Sequence, residues 1–228
     1  MISSRLARRM EKPLLPAMKR IKASPNALTL AGFLITTAGA YVLAHDLRAG
    51  GLIILLGSLF DSFDGMVARA NGKESAFGAY LDSVLDRYSD AFIFLGLAYN
   101  LRTEPVAAAL CLGTLAGAFL VSYTRARAEG LGAECKVGIM ERPERIMLVT
   151  AGSIFGFIVP ALWALFVLTH FTALQRMAHA RKALAGEKGK EKMKAVRPSI
   201  ITVKKKNLSR QMEGKGKAGR YGESEKKT

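Results

Sequence analysis

A chain of 228 residues that is 50% hydrophobic yet carries a formal net charge of +16 has to keep its apolar and basic parts separate. The last 48 residues, from Arg181, hold 16 Lys and Arg against 5 Glu, so an apolar block is joined to a basic tail, which excludes a uniformly basic soluble domain. Two cysteines, Cys111 in an apolar run and Cys135 in a charged loop, exclude a disulfide framework, and the three scattered histidines lack metal-ligand spacing.

In chain order, the opening MISSRLARRMEKPLLPAMKRIKAS places seven basic residues before the first apolar run near Ala27, a lead too long and too charged for a cleaved signal peptide. Leu6, Met10, Leu14, Met18 and Ile21 recur at helical spacing within it, so residues 1–24 are expected to form a juxtamembrane amphipathic helix on an anionic leaflet. A membrane span needs about 20 mostly apolar residues. Residues 27–44 supply the first. Residues 50–60 supply a second if the helix continues through Asp61 and Arg69, residues 76–100 a third with its carboxylates in the first half, and residues 105–123 a fourth. The turns between them are HDLRAG, NGKES and NLRTEP.

The apolar stretch from Ile146 to Met177 reads as a hairpin of two short helices broken at Pro160. Charge sets the count: residues 1–24, 69–75, 124–145 and the tail are basic and fall on one side, while the opposite loops carry one Arg each. Cytoplasmic loops hold the excess of Lys and Arg, so the number of spans is even and both termini are cytoplasmic. The expectation is an all-α integral membrane protein of the cell membrane. Six transmembrane helices fill residues 25–180, and a basic, disordered cytoplasmic tail over 181–228 lies against anionic headgroups. The tail has one aromatic residue, Tyr221, hence no stacking platform for nucleic acid, and none is expected as a partner. RPSIITV (197–203) reads as a short strand with no function attached.

Asp61, Asp64, Asp82, Asp86 and Asp90 lie within or beside these apolar runs, where an ionisable group is costly and marks a functional site. Residues three and four apart share a helix face, so Asp61, Asp64, Gly65 and Ala68 line one stripe and Gly78, Asp82 and Asp86 another. Packed side by side, the two stripes bring four carboxylates to the cytoplasmic ends of their helices. Such a cluster stays ionised only with a cation, and oxygen ligands suit Mg²⁺ or Mn²⁺, with room for two ions in the arrangement used for displacement at phosphorus. Small residues on the same stripes leave space for a phosphorylated ligand, and Arg69 reaches its oxygens. A divalent-cation transporter would also place acids in spans, but it needs neither the interleaved glycines nor the bias of the acids to one side.

The pattern D-x2-D-G-x2-A-R-x8-G-x3-D-x3-D, met by Asp61, Asp64, Gly65, Ala68, Arg69, Gly78, Asp82 and Asp86, resembles the signature of the CDP-alcohol phosphotransferases. The resemblance runs from about residue 20 to 180 and includes PNALT at Pro25 to Thr29. It implies six membrane helices, a homodimer, and transfer of a phosphatidyl group from a CDP-linked lipid to an alcohol with release of CMP. It makes Asp61, Asp64, Asp82 and Asp86 metal ligands, Asp86 also the general base, and Asn26, Thr29, Gly65, Ala68, Arg69 and Gly78 the residues around the CDP-lipid.

The segment from Ser122 to Ile146, with RARAE and ERPER, is similar to the branch that uses inositol 1-phosphate to make phosphatidylinositol phosphate or its ether-lipid counterpart. That similarity assigns the acceptor phosphate to Arg127, Arg145 and Arg176, with Arg142 beside them; glycerol 3-phosphate is the alternative acceptor. Asp90 continues the acidic stripe by one turn and is expected to make a contact between helices.

Overall fold

The computed structural model describes residues 24–185. The amphipathic helix expected over residues 1–24, the strand at 197–203 and the tail beyond residue 185 fall outside, or all but outside, the described residues. Every element among the described residues is helical: α1 (Pro25–Leu43), α2 (Leu47–Ala70), α3 (Ala76–Asn100), α4 (Pro105–Gly130), α5 (Arg142–Phe155) and α6 (Ile158–Ala185). The polar turns also start the helices. Ser24 Oγ accepts from the Ala27 amide ahead of Pro25, Asp46 Oδ1 from the Arg48 and Ala49 amides at 2.9 and 3.1 Å, and Ser75 Oγ from the Gly78 amide at 3.0 Å. Each satisfies donors that a helix N-terminus otherwise leaves unpaired.

Among the described residues, four helices, α1, α2, α4 and α6, are long and apolar enough to cross a membrane. Helix α3 has the length, 25 residues, but carries Asp82, Asp86, Arg87 and Asp90. Helix α5 has 14 residues, about 21 Å at 1.5 Å per residue, short of the roughly 30 Å hydrocarbon layer. The hairpin differs from expectation. The chain breaks at Gly156, whose φ of 81° is the left-handed conformation that ends helices and favours glycine, not at Pro160. Pro160 lies in the first turn of α6, where its missing N–H forfeits no helical hydrogen bond. The final helix is therefore 28 residues long rather than short.

The chain divides into two compact units. Among the described residues, the larger holds 24–125 and Lys136–Met177; the smaller holds Ala126–Cys135 and 178–185. In the smaller unit a ring nitrogen of His179, Nε2, lies 3.1 Å from the Glu134 carbonyl oxygen. The core of the larger unit centres on Leu43, Ile54, Leu97, Cys111, Leu162 and Leu165, all fully buried.

Glycines set how closely its helices approach. A Cβ at Gly57 of α2 would stand 2.9 Å from the Thr36 amide of α1, and one at Gly96 of α3 only 2.4 Å from the Ala40 carbonyl oxygen. Helix pairs in lipid depend on such small-residue contacts, because burying apolar surface gains little there. Gly96→Leu should force α1 and α3 apart and cost about 3 kcal/mol, the upper range for overpacking, seen as a lowered Tm of the purified protein in detergent.

Candidate active site

The acidic motif is built where α2 ends and α3 begins. Asp61 and Asp64 lie one turn apart on α2, and Asp82 lies two turns into α3. One oxygen from each of these three carboxylates lies within 4.8 Å of the others. Thr29 of α1 donates its hydroxyl to Asp64 Oδ2 at 2.5 Å, which fixes the orientation of that buried carboxylate.

Above the carboxylates opens a cavity of about 220 Å³ lined by Asn26, Thr29, Asp64, Gly65, Ala68, Arg69, Gly78 and Asp82. Every residue assigned to the nucleotide-lipid by resemblance therefore lines one space. The glycines keep it open: a Cβ at Gly78 would press to 3.1 Å from Asn26 Oδ1, and one at Gly65 would meet only the Arg69 guanidinium, at 3.4 Å. Lys73, Glu74 and Ser75 also line the cavity and were not singled out in the sequence. Their signal was Ser75 standing immediately before an apolar run, an N-cap position that brings the start of α3 to the site. The N-termini of both α1 and α3 thus border the cavity, and with Arg69 and Lys73 they supply donors for an anionic ligand beside the carboxylates of Asp64, Glu74 and Asp82.

Asp86 is separate from the triad. Its Oδ1 lies 2.7 Å from Arg142 Nη1, and the same nitrogen donates to Asp61 Oδ2. The approach to Asp86 Oδ1 makes no hydrogen bond, so that oxygen is buried without a donor. One guanidinium, at the first residue of α5, therefore bridges carboxylates of α2 and α3. Arg142 Nε also lies 3.8 Å from Asp90 Oδ1.

The other arginines assigned to the acceptor are arranged differently. Arg145 is 2% exposed and donates from Nη2 to Asp90 Oδ2 at 2.7 Å, the inter-helix contact expected of Asp90, while its Nε is buried without a partner. Arg176 donates to the Val137 carbonyl at 2.8 Å, the Val121 carbonyl at 2.7 Å and Glu141 Oε1 at 3.1 Å. It thereby ties the segment leading into α5 to α4 and α6. Glu141, the N-cap of α5, makes no capping hydrogen bond, its carboxylate being turned to Arg176. Arg127 lies in the last turn of α4, in the smaller unit.

Three clustered carboxylates with a fourth carboxylate oxygen lacking a donor are hard oxygen donors, and they fit Mg²⁺ or Mn²⁺ rather than a softer metal. A multi-helix membrane protein with such a cluster beneath an anion-attracting cavity belongs to the class of enzymes that handle phosphate esters with divalent ions. A family model for CDP-alcohol phosphatidyltransferase matches residues 22–182. The chain belongs to that family of membrane-bound transferases.

Its relatives include the archaetidylinositol phosphate synthase of Methanothermobacter thermautotrophicus, 38% identical over 74% of this chain and 89% of the relative. That of Pyrococcus horikoshii is 39% identical over 71% and 85%. Among solved structures, the phosphatidylinositol phosphate synthase of Mycobacterium tuberculosis with CDP-DAG bound superposes with a TM-score of 0.68 at 30% identity, covering 79% of this chain and 96% of that one. The same enzyme in complex with manganese and citrate gives a TM-score of 0.70 at 29% identity, covering 77% and 90%.

Proposed function

We propose that this transferase moves a phosphatidyl or archaetidyl group from a CDP-linked lipid to the hydroxyl of inositol 1-phosphate. The observation that carries the reading is the meeting of Asp61, Asp64 and Asp82 within 4.8 Å beside a cavity that Gly65 and Gly78 keep open. Asp61, Asp64, Asp82 and Asp86 would hold two divalent ions, which when bound offset the diphosphate charge and stabilise departing CMP. Asn26, Thr29, Gly65, Ala68, Arg69 and Gly78 border the CDP moiety. Asp86 accepts the proton of the acceptor hydroxyl. The oxygen so freed forms a bond to the lipid-bearing phosphorus, and the bond from that phosphorus to the CMP oxygen breaks.

The acceptor's phosphate is taken by arginines. Nε of Arg142 and Nε of Arg145 are buried donors with no hydrogen-bond partner, one turn apart at the start of α5, where the helix dipole adds to their charge. The resemblance adds Arg127 to this set, and Arg176 both holds the segment that presents Arg142 and Arg145 and adds its own charge. The excess of Lys and Arg in residues 69–75 and 124–145 supports a cytoplasmic side for this chemistry and for both termini. Six spans follow if α3 and the short α5 cross with the other four, and the working unit is a homodimer of protomers like this one.

The test is CMP release by the purified full chain with Mg²⁺ and either CDP-diacylglycerol or CDP-archaeol, comparing inositol 1-phosphate, glycerol 3-phosphate and inositol. Release with inositol 1-phosphate alone is the expected outcome. Preference for glycerol 3-phosphate would retain the aspartates and replace the acceptor. Thr29→Val, which keeps the side-chain shape and removes the donor to Asp64, should weaken Mn²⁺ binding about tenfold, read as the dissociation constant in the absence of substrate.

A further inference from the structure

The guanidinium of Arg142 stands where the proposed mechanism needs a metal ion and a free base. It bridges Asp61 and Asp86 from the first residue of α5, with side chains of Arg142, Asp61 and Asp86 between 15% and 19% exposed. Asp64 is held by Thr29, and both Asp64 and Asp82 line the nucleotide cavity. The motif carboxylates thus grade from Asp64 and Asp82, which line the cavity, to Asp86, which carries an internal cation, with Asp61 shared between the cluster and the guanidinium. A carboxylate pair cannot give the same oxygens to a guanidinium and to a divalent ion, since both need those lone pairs.

We propose that Arg142 is a built-in counter-cation for the Asp61–Asp86 half of the site, and that the second divalent ion binds there only by displacing it. The inference rests on the metal and acceptor assignments above and adds an order of events to them. The first ion enters at Asp64 and Asp82 and shares Asp61 with the guanidinium, which holds one of that residue's two oxygens. Loading the second requires the guanidinium to leave Asp86, and the segment from Val137 to Glu141, pinned by Arg176, keeps its backbone in place so that only the side chain moves. Once released, the guanidinium can meet the phosphate of the acceptor. Acceptor binding and second-ion binding then favour one another, by the same factor in each direction. Before that, Asp86 is unavailable as a base, which keeps the donor's diphosphate from being attacked by water when no acceptor is bound.

Mn²⁺ binding to the full chain in detergent, followed by electron paramagnetic resonance and calorimetry without CDP-lipid, tests this. Wild type should bind one ion per protomer well and a second at least tenfold more weakly. Arg142→Met, which keeps the length and removes the charge, should bring the second ion's dissociation constant down about tenfold. Arg142→Lys, a smaller and more mobile cation, should fall between the two.

Equal stoichiometry and dissociation constants in all three proteins would overturn the proposal. Should Arg142→Met not fold, wild type alone decides: inositol 1-phosphate, but not inositol, should tighten the second Mn²⁺ about tenfold, and no change would overturn it. CMP release assayed on the same wild-type preparation separates the two readings. Release with unaltered Mn²⁺ binding in the variants removes the counter-cation and leaves the enzyme. A shift in Mn²⁺ binding without release removes the substrate assignment and leaves the exchange.

Discussion

Asp86→Asn is expected to lower kcat about a thousandfold, in the range that general-base catalysis contributes, while the dissociation constant for the CDP-lipid changes little. The substitution is nearly isosteric, so packing at the α3 stripe is kept, and the amide oxygen remains a neutral ligand. It has no affinity for a proton at working pH, however, so the acceptor hydroxyl cannot be activated. Asp61, Asp64 and Asp82 still gather within 4.8 Å beneath the cavity, and none of the cavity-lining residues is altered. CMP release and equilibrium binding of the CDP-lipid, measured on one preparation, separate the two effects. Near-normal kcat would move the base to another group. A parallel loss of CDP-lipid binding would make Asp86 a ligand before anything else. Asp86→Glu restores a base but places it a methylene further out, so a small recovery of kcat with normal binding is the accompanying result.

The parts of this site that were legible in the sequence are those set by local geometry. The three- and four-residue spacing of Asp61, Asp64, Asp82 and Asp86 fixes which side chains share a helix face whatever the tertiary fold. Small residues at 65, 68 and 78 mark where that face stays open. Caps at Ser24, Asp46 and Ser75 are local as well, and the helices begin where these residues stand in the sequence.

What was not legible depends on contacts across long separations. The Arg142–Asp61 pair is 81 residues apart and Arg145–Asp90 is 55, and no spacing rule says which arginine of a basic loop meets which acid. The basic residues from 124 to 145 satisfy the rule for cytoplasmic loops as a group. The structure distinguishes them: Arg142 is set among the acids, Arg145 is buried on Asp90, and Arg125 lies at the rim near Glu141. The misplaced hairpin has a similar origin. Proline both ends helices and begins them, and only the left-handed backbone of Gly156 settles which role Pro160 has.

Arg145 carries two assignments that a single substitution cannot separate. It is paired to Asp90 in the interior, its Nε is buried without a partner, and that Nε is the donor proposed for the acceptor phosphate. Arg145→Met leaves Asp90, 3% exposed, without its principal cation, and breaking a buried pair from one side costs about 3 to 5 kcal/mol. Arg142 Nε, 3.8 Å from Asp90 Oδ1, is too far to replace it by a hydrogen bond.

The single variant should therefore melt well below wild type in detergent and also lose turnover, a result equally consistent with plain misfolding. The double variant Asp90→Leu with Arg145→Met removes both charges and puts similar apolar volume in their place, so most of the lost stability should return. If Arg145 serves only the fold, the acceptor KM returns with the stability. With Nε meeting the acceptor phosphate, KM for inositol 1-phosphate stays raised by about tenfold or more in the refolded double variant, since a charged hydrogen bond of about 1.5 to 3 kcal/mol is still missing. KM for the CDP-lipid, whose cavity neither residue lines, returns to the wild-type value. Recovery of both constants would confine Arg145 to holding α5 against α3 and leave the acceptor to Arg142 and its neighbours.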